Sequence, residues 1–191
     1  MNRLGTFDFS QRLAFGVLLC ERLLPNYLVF QQESGWGSFM HVRTALDCAI
    51  AFLCGQKPSA QDIKEASAEC ESWSPSSDDF SSVRVTSAQD ACFAVCSLLD
   101  FLLEDDASKV VQVATYATDS VDLYVQEIEE MNPADPLLEQ KILMHPLMQR
   151  ELRQQEDDLT AIESASELNQ SFLEERMLSW RSDGKGNLES P

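Results

Sequence analysis

Histidine is nearly absent from the 191 residues, with only His41 and His145, and neither has a metal-ligating residue one helical turn away. That removes the common zinc and two-histidine iron patterns. Six cysteines are present, Cys20, Cys48, Cys54, Cys70, Cys92 and Cys96, but no two stand in a C-x-x-C pair. Zinc-knuckle and thioredoxin-like spacings are therefore missing, and a domain of this length needs no disulfide framework. No G-x-S-x-G, P-loop or dinucleotide-binding fingerprint occurs. Continuous apolar runs stay short of the 18 or more residues of a membrane span. Strand-like alternation is missing as well. Basic residues are scarce, 14 against 32 acids, for a net charge of −18. Such a surface repels nucleic acid and anionic membranes, so direct binding to either is not expected.

The negative charge is unevenly placed. Residues 1–99 carry 11 acids and 7 bases, whereas residues 100–191 carry 21 and 7. Acidic faces keep proteins soluble, and a strongly one-signed half can also steer a basic partner. The length suits one domain that buries roughly 70% of its unfolded surface.

What is present in abundance is helical periodicity. Residues 13–24, LAFGVLLCERLL, are interrupted only by Gly16, Glu21 and Arg22. A helix apolar nearly all round belongs inside a bundle. The pattern predicts a first helix over 7–24 and a second opening at Pro25, with Leu28 and Phe30 on its apolar side. A turn is expected at Ser34-Gly35-Trp36-Gly37, then a third helix from Ser38 to Cys54. Pro58 to Asp62 resembles a capping box before a polar helix reaching about Trp73. Residues 74–85 read as a loop. Thr86 or Ser87 should cap the next helix, through Leu103, and Asp105-Asp106 should separate it from a helix over 107–131. A short helix after Asp135-Pro136 and a long final one after His145-Pro146 follow. The expectation is an all-α, single-domain helical bundle of about seven helices around a buried N-terminal helix. It occupies residues 1–181, and residues 182–191 form a flexible tail. A reduced, cytoplasmic setting fits the thiols, since Asp8 and Leu19 spoil the match to a signal peptide ending at Cys20.

The residues that the core must accommodate also carry a resemblance. Cys20-Glu21-Arg22-Leu23-Leu24-Pro25-Asn26-Tyr27, Phe30, Ser34-Gly35-Trp36-Gly37, Arg43, Leu46, Asp47, Pro75, Ser76, Asp78-Asp79-Phe80, Ala88, Asp90, Ala91, Cys92 and Ala94 resemble the signature of a bacterial family. It is the YjaG-like family, domain of unknown function 416. The resemblance implies a compact helical cytosolic protein and brings no established activity, ligand, cofactor or catalytic residue.

Candidate binding or structural residues are Glu21, Arg22, Asn26, Tyr27, Trp36, Arg43, Asp47 and Asp90. Arg43 and Asp47 are four apart and can pair on one helix face. Glu21 and Arg22 point about 100° apart, so at most one is expected on the most buried face of their helix. One reading makes these charges a buried ion-pair network that sets how helices meet. Another gathers Glu21, Asp47 and Asp90 into a polar cleft with raised carboxyl pKa values, as a small enzyme or ligand-binding protein would have. Asp90, three residues after Ser87, could instead complete a capping box. Tyr27 could anchor the Ser34–Gly37 turn, or line a pocket with Trp36 and Phe80. No residue is assigned a catalytic role or a metal. The leading functional expectation is a non-enzymatic protein that binds an unidentified, basic protein partner through its acidic surface; one version of it is a mimic of DNA. Homodimerisation through the seam of the last helices is a further option.

Overall fold

The computed structural model describes residues 2–181 and 186–188. After a 3-10 turn at Asn2–Gly5, eight α-helices follow among the described residues. They are α1 (Phe9–Ser34), α2 (Phe39–Leu53), α3 (Ala60–Ser72), α4 (Arg84–Glu104), α5 (Ala107–Ile128), α6 (Leu138–Met144), α7 (Pro146–Ser164) and α8 (Gln170–Arg181). The bundle is all-α, and α1 runs through its middle, as its apolar circumference requires. The broadest interfaces are α4 with α5 and α1 with α4, while α2, α5, α7 and α8 also contact α1. A Cβ on Gly16 would sit 2.5 Å from Leu98 Cδ1, so the absence of a side chain there sets the close approach of α1 and α4.

By length and composition alone, α1 and α4 each contain an 18-residue window apolar enough to cross a membrane. The short-run reading of the sequence missed this, because scattered Gly, Ser and charged residues break the runs without lowering mean hydropathy enough. In both windows most residues are buried inside the protein, 83% in α1 and 67% in α4.

Four boundaries differ from expectation for identifiable reasons. Helix α1 does not end at Leu24 and restart at Pro25; it continues through Pro25 for another turn and more. Proline removes one backbone donor and crowds the carbonyl four residues earlier, which costs a helix about 3 kcal/mol, yet the buried faces on both sides hold it together. The first helix starts at Phe9 instead of residue 7, because Asp8 caps it in a reciprocal capping box with Gln11. Helix α4 begins at Arg84, ahead of Ser87, whose hydroxyl donates to the Arg84 carbonyl instead of capping. Finally, the long terminal helix is two: α7 stops at Ser164, and the Asn169 side chain accepts from the Phe172 N–H at the start of α8.

Elsewhere the local chemistry acts where expected. Ser59 and Asp62 form the capping box of α3. Asp105 takes the left-handed conformation that ends α4, with φ at 51°, and Asp106 caps α5 by accepting from the Ser108 N–H. A main apolar core fills the space between α1, α2, α4 and α5. A smaller cluster joins Val121 and Val125 to Ile142, Leu147, Met148 and Leu188. Of the tail expected to be flexible, residues 182–185 and 189–191 lie outside the described residues, whereas Asn187 and Leu188 are buried.

Candidate functional site

The adjacent charges of α1 leave the helix in different directions and meet different partners. Glu21, 2% exposed, faces α2, where Arg43 Nη1 donates to its Oε1 at 2.7 Å. Arg43 also donates from Nε to Asp47 Oδ1 at 2.9 Å, the expected pairing one turn along α2. Asp47 lies at the rim, with its side chain 59% exposed. Burial alone would lower the Arg43 pKa, but Glu21 and Asp47 outweigh it and hold the guanidinium above its ordinary value.

Arg22 turns toward α7. Its Nη2 donates to Glu151 Oε1 at 3.1 Å, and its Nη1 to Asp158 Oδ2. Asp158, fully buried, accepts at Oδ1 from Arg176 Nη2 of α8 at 2.6 Å. Glu151 and Asp158 are seven residues apart, two turns of α7, on the same stripe as Leu147, Leu159 and Ile162. Two arginines and two carboxylates thus join α1, α7 and α8 with charges balanced. Burial again opposes the Arg22 charge, and the two carboxylates restore it, so that its pKa is raised. Among the described residues Arg22 Nε finds no acceptor, a residual cost in an otherwise satisfied cluster.

Asp90 lies apart from both groups. It is in the second turn of α4 and faces α5, where the Ser120 hydroxyl donates to its Oδ2 at 2.8 Å. It does not cap the helix, and the arginines expected to pair with it, Arg22 and Arg43, bind other acids. Burial pushes its carboxyl up to about 6, against the opposing hydrogen bond from Ser120, with Asp119 adding to the rise.

Tyr27 closes the far end of the N-terminal helix. Its hydroxyl donates to the Trp73 carbonyl at 2.7 Å and accepts from the Ser38 N–H at 3.0 Å. Gly37 has φ at 101°, and a Cβ there would lie 2.7 Å from the Tyr27 hydroxyl. Gly35, with φ at 67°, ends α1 in the left-handed conformation. The Gly-Trp-Gly turn is therefore shaped to wrap this tyrosine. Trp36 packs edge-on to Phe30 and tilted against Trp73 and Phe80. Asn26, 3% exposed, donates from Nδ2 to Asn187 Oδ1 at 2.7 Å.

Glu21, Asp47 and Asp90 are thus not brought to one cleft. Two open depressions on the surface are lined elsewhere. One runs from Glu129 to Lys141, and the other gathers Phe80 to Val83 with Thr86, Leu123 and Glu127. Phe80 reaches the second; Tyr27 and Trp36 reach neither. Among the described residues no three His, Cys, Asp or Glu side chains converge as a metal site. All six cysteines are free thiols. Burial raises the Cys20 pKa, and at Cys70 the leading cause is the hydrogen-bonded neighbour Cys92, so neither is poised as a nucleophile. Sequence reasoning missed Glu151, Asp158, Arg176 and Asn187. The signal for the two acids was their place on the apolar stripe of α7; the other two carried none.

Comparison with known proteins agrees with this architecture. The chain is 34% identical over 97 residues to the uncharacterized protein YjaG of Escherichia coli (strain K12), a match spanning 51% of the chain and 49% of that protein. About half the length of this curated relative is therefore matched. The crystal structure of a DUF416 family protein from Shewanella baltica OS155 superposes with a TM-score of 0.86 at 24% identity, covering 97% of this chain and 95% of that one. At that identity the likeness establishes the shared fold. The family model described as "protein of unknown function (DUF416)" matches residues 1–189, essentially the whole bundle with its central charged helix, and the chain belongs to that family.

Proposed function

We propose that this is a non-enzymatic cytoplasmic protein that binds a basic protein partner through an acidic helical surface. The observation that carries the reading is the end of α5. Glu127, Glu129 and Glu130 are all exposed there, with no basic residue in the last turn. Backbone carbonyls already make a helix C-terminus negative, so acids placed there oppose the dipole and cost stability. Ile128, between them in the chain, is 46% exposed, which supplies apolar surface within the acidic rim. Charge that works against its own helix has a use in attracting a cation-rich surface. The engagement of Glu21 and Asp47 by the shared Arg43, and of Asp90 by Ser120, also supports a role outside catalysis. Six unbridged cysteines support a reducing compartment.

The test compares the wild-type chain with Glu127→Gln, Glu129→Gln, Glu130→Gln as baits in a bacterial lysate at low and high salt. The reading expects one stoichiometric partner on the wild type, released by salt and lost by the variant, whose melting temperature is equal or higher. Capture indifferent to both salt and the substitutions, or no capture at all, overturns it.

A further inference from the structure

Residues 186–188 sit in a notch between α1, α5 and α7 as a bound peptide would. Asn187 uses every polar atom it has. Its N–H donates to the Arg22 carbonyl at 3.1 Å, in the turn of α1 that Pro25 loosens. Its carbonyl accepts from Arg150 Nη2 at 2.9 Å, its Oδ1 accepts from Asn26 Nδ2 at 2.7 Å, and its Nδ2 donates to the Ala117 carbonyl at 2.9 Å. Leu188, 1% exposed, fills the socket formed by Val121, Val125, Ile142, Leu147 and Met148. At Gly186 a Cβ would fall 2.7 Å from the Arg22 carbonyl oxygen and 3.1 Å from Pro25 Cβ. Each of the three positions is thereby selective: glycine for backbone approach, an amide that both donates and accepts, and a branched aliphatic side chain.

We propose that this notch is a peptide-binding site for a Gly-Asn-Leu sequence, and that the chain's own residues 186–188 are its resident, exchangeable ligand. Among the described residues of the tail, all three are anchored in this way. The flanking sequences, Ser182-Asp183-Gly184-Lys185 and Glu189-Ser190-Pro191, contribute no large apolar side chain. Helix α8 holds to the core by its own Leu173 and Met177, so release of 186–188 does not require α8 to detach. Asn26, buried on α1, and the Ala117 carbonyl of α5 together read the amide, one donating to its oxygen and the other accepting from its nitrogen. An aspartate at position 187 would match the size of asparagine and set a carboxylate oxygen against the Ala117 carbonyl.

A labelled peptide, Lys-Gly-Asn-Leu-Glu-Ser-Pro, titrated by fluorescence anisotropy provides the test. The full chain carrying Asn187→Asp and Leu188→Ser is expected to bind it saturably, one to one, and to ignore the same peptide with Asn replaced by Asp. The wild-type chain is expected to bind at least about tenfold more weakly, because a tethered competitor reaches millimolar effective concentration. Equal binding by both chains, or none by the folded variant, overturns the proposal. Hydrogen exchange on the unaltered chain gives a readout independent of the variant's folding. The Asn187 amide should exchange more slowly than in the free peptide but faster than core amides such as that of Leu18. Exchange as slow as the core would make the segment a permanent part of the fold, and exchange as fast as the free peptide would mean it is not docked; either result overturns the proposal.

Discussion

Two seams of the bundle each bury acid, and they handle it in opposite ways. Between α1, α7 and α8, Glu151 and Asp158 meet Arg22 and Arg176. Between α4 and α5, Asp90 meets a serine hydroxyl and has the acid Asp119 nearby. The first seam sets each acid against an arginine and works as a lock of fixed geometry. The second leaves a carboxyl that titrates close to neutrality. Desolvation is common to both; what differs is whether an arginine shares the burial.

That contrast is sharpest under substitution. Arg22→Met leaves Glu151 and Asp158 buried with less compensation, and urea titration should show a loss of about 3–5 kcal/mol, the usual cost of breaking a buried pair. Arg43→Met, on the α2 side of the same helix, removes a charge-assisted bond to Glu21 and should cost about 2–3 kcal/mol in the same titration.

Asp90→Asn should have the opposite sign. With a folded pKa of about 6 against an ordinary 3.8, the native state holds the Asp90 proton more tightly than the unfolded chain. Its contribution is therefore fully present below pH about 4 and is lost as pH rises through about 6. Asparagine stays neutral throughout and can still accept from Ser120. The variant should gain about 1–2 kcal/mol at pH 7 and nothing below pH 4, read from urea midpoints at both values. A loss at pH 7 would place Asp90 with the paired acids and end the contrast. The smallest effect belongs to the rim. Asp47→Ala should cost less than about 1 kcal/mol, because its side chain is 59% exposed, and that cost should shrink with added salt in thermal melts.

Legibility in the sequence followed the range of the interaction. The Arg43–Asp47 pair and the Asp105-Asp106 boundary are local, and residue spacing alone places them. The buried central helix follows from its apolar circumference. Arg22 could be recognised as needing partners, but those lie 129 and 136 residues away on a helix whose charges look solvated in sequence. Asp90 was misplaced by the pull of Ser87, a good cap residue that the actual helix start bypasses by beginning at Arg84. Pro25 read as a helix start because local propensity cannot weigh the packing that carries α1 past it. The docking of Asn187 was invisible for the same reason: a polar, glycine-containing segment reads as coil until its partners on three helices are known.

The central claim is that the charges of α1 are a structural lock, and a double-mutant cycle between Arg22→Met and Asp158→Leu tests it most directly. Measured by urea unfolding at neutral pH, the two losses should fall short of additivity by about 1–3 kcal/mol, as expected for residues whose charges are mutually compensated. Additivity within about 0.5 kcal/mol would show that Arg22 and Asp158 contribute independently and would contradict the lock.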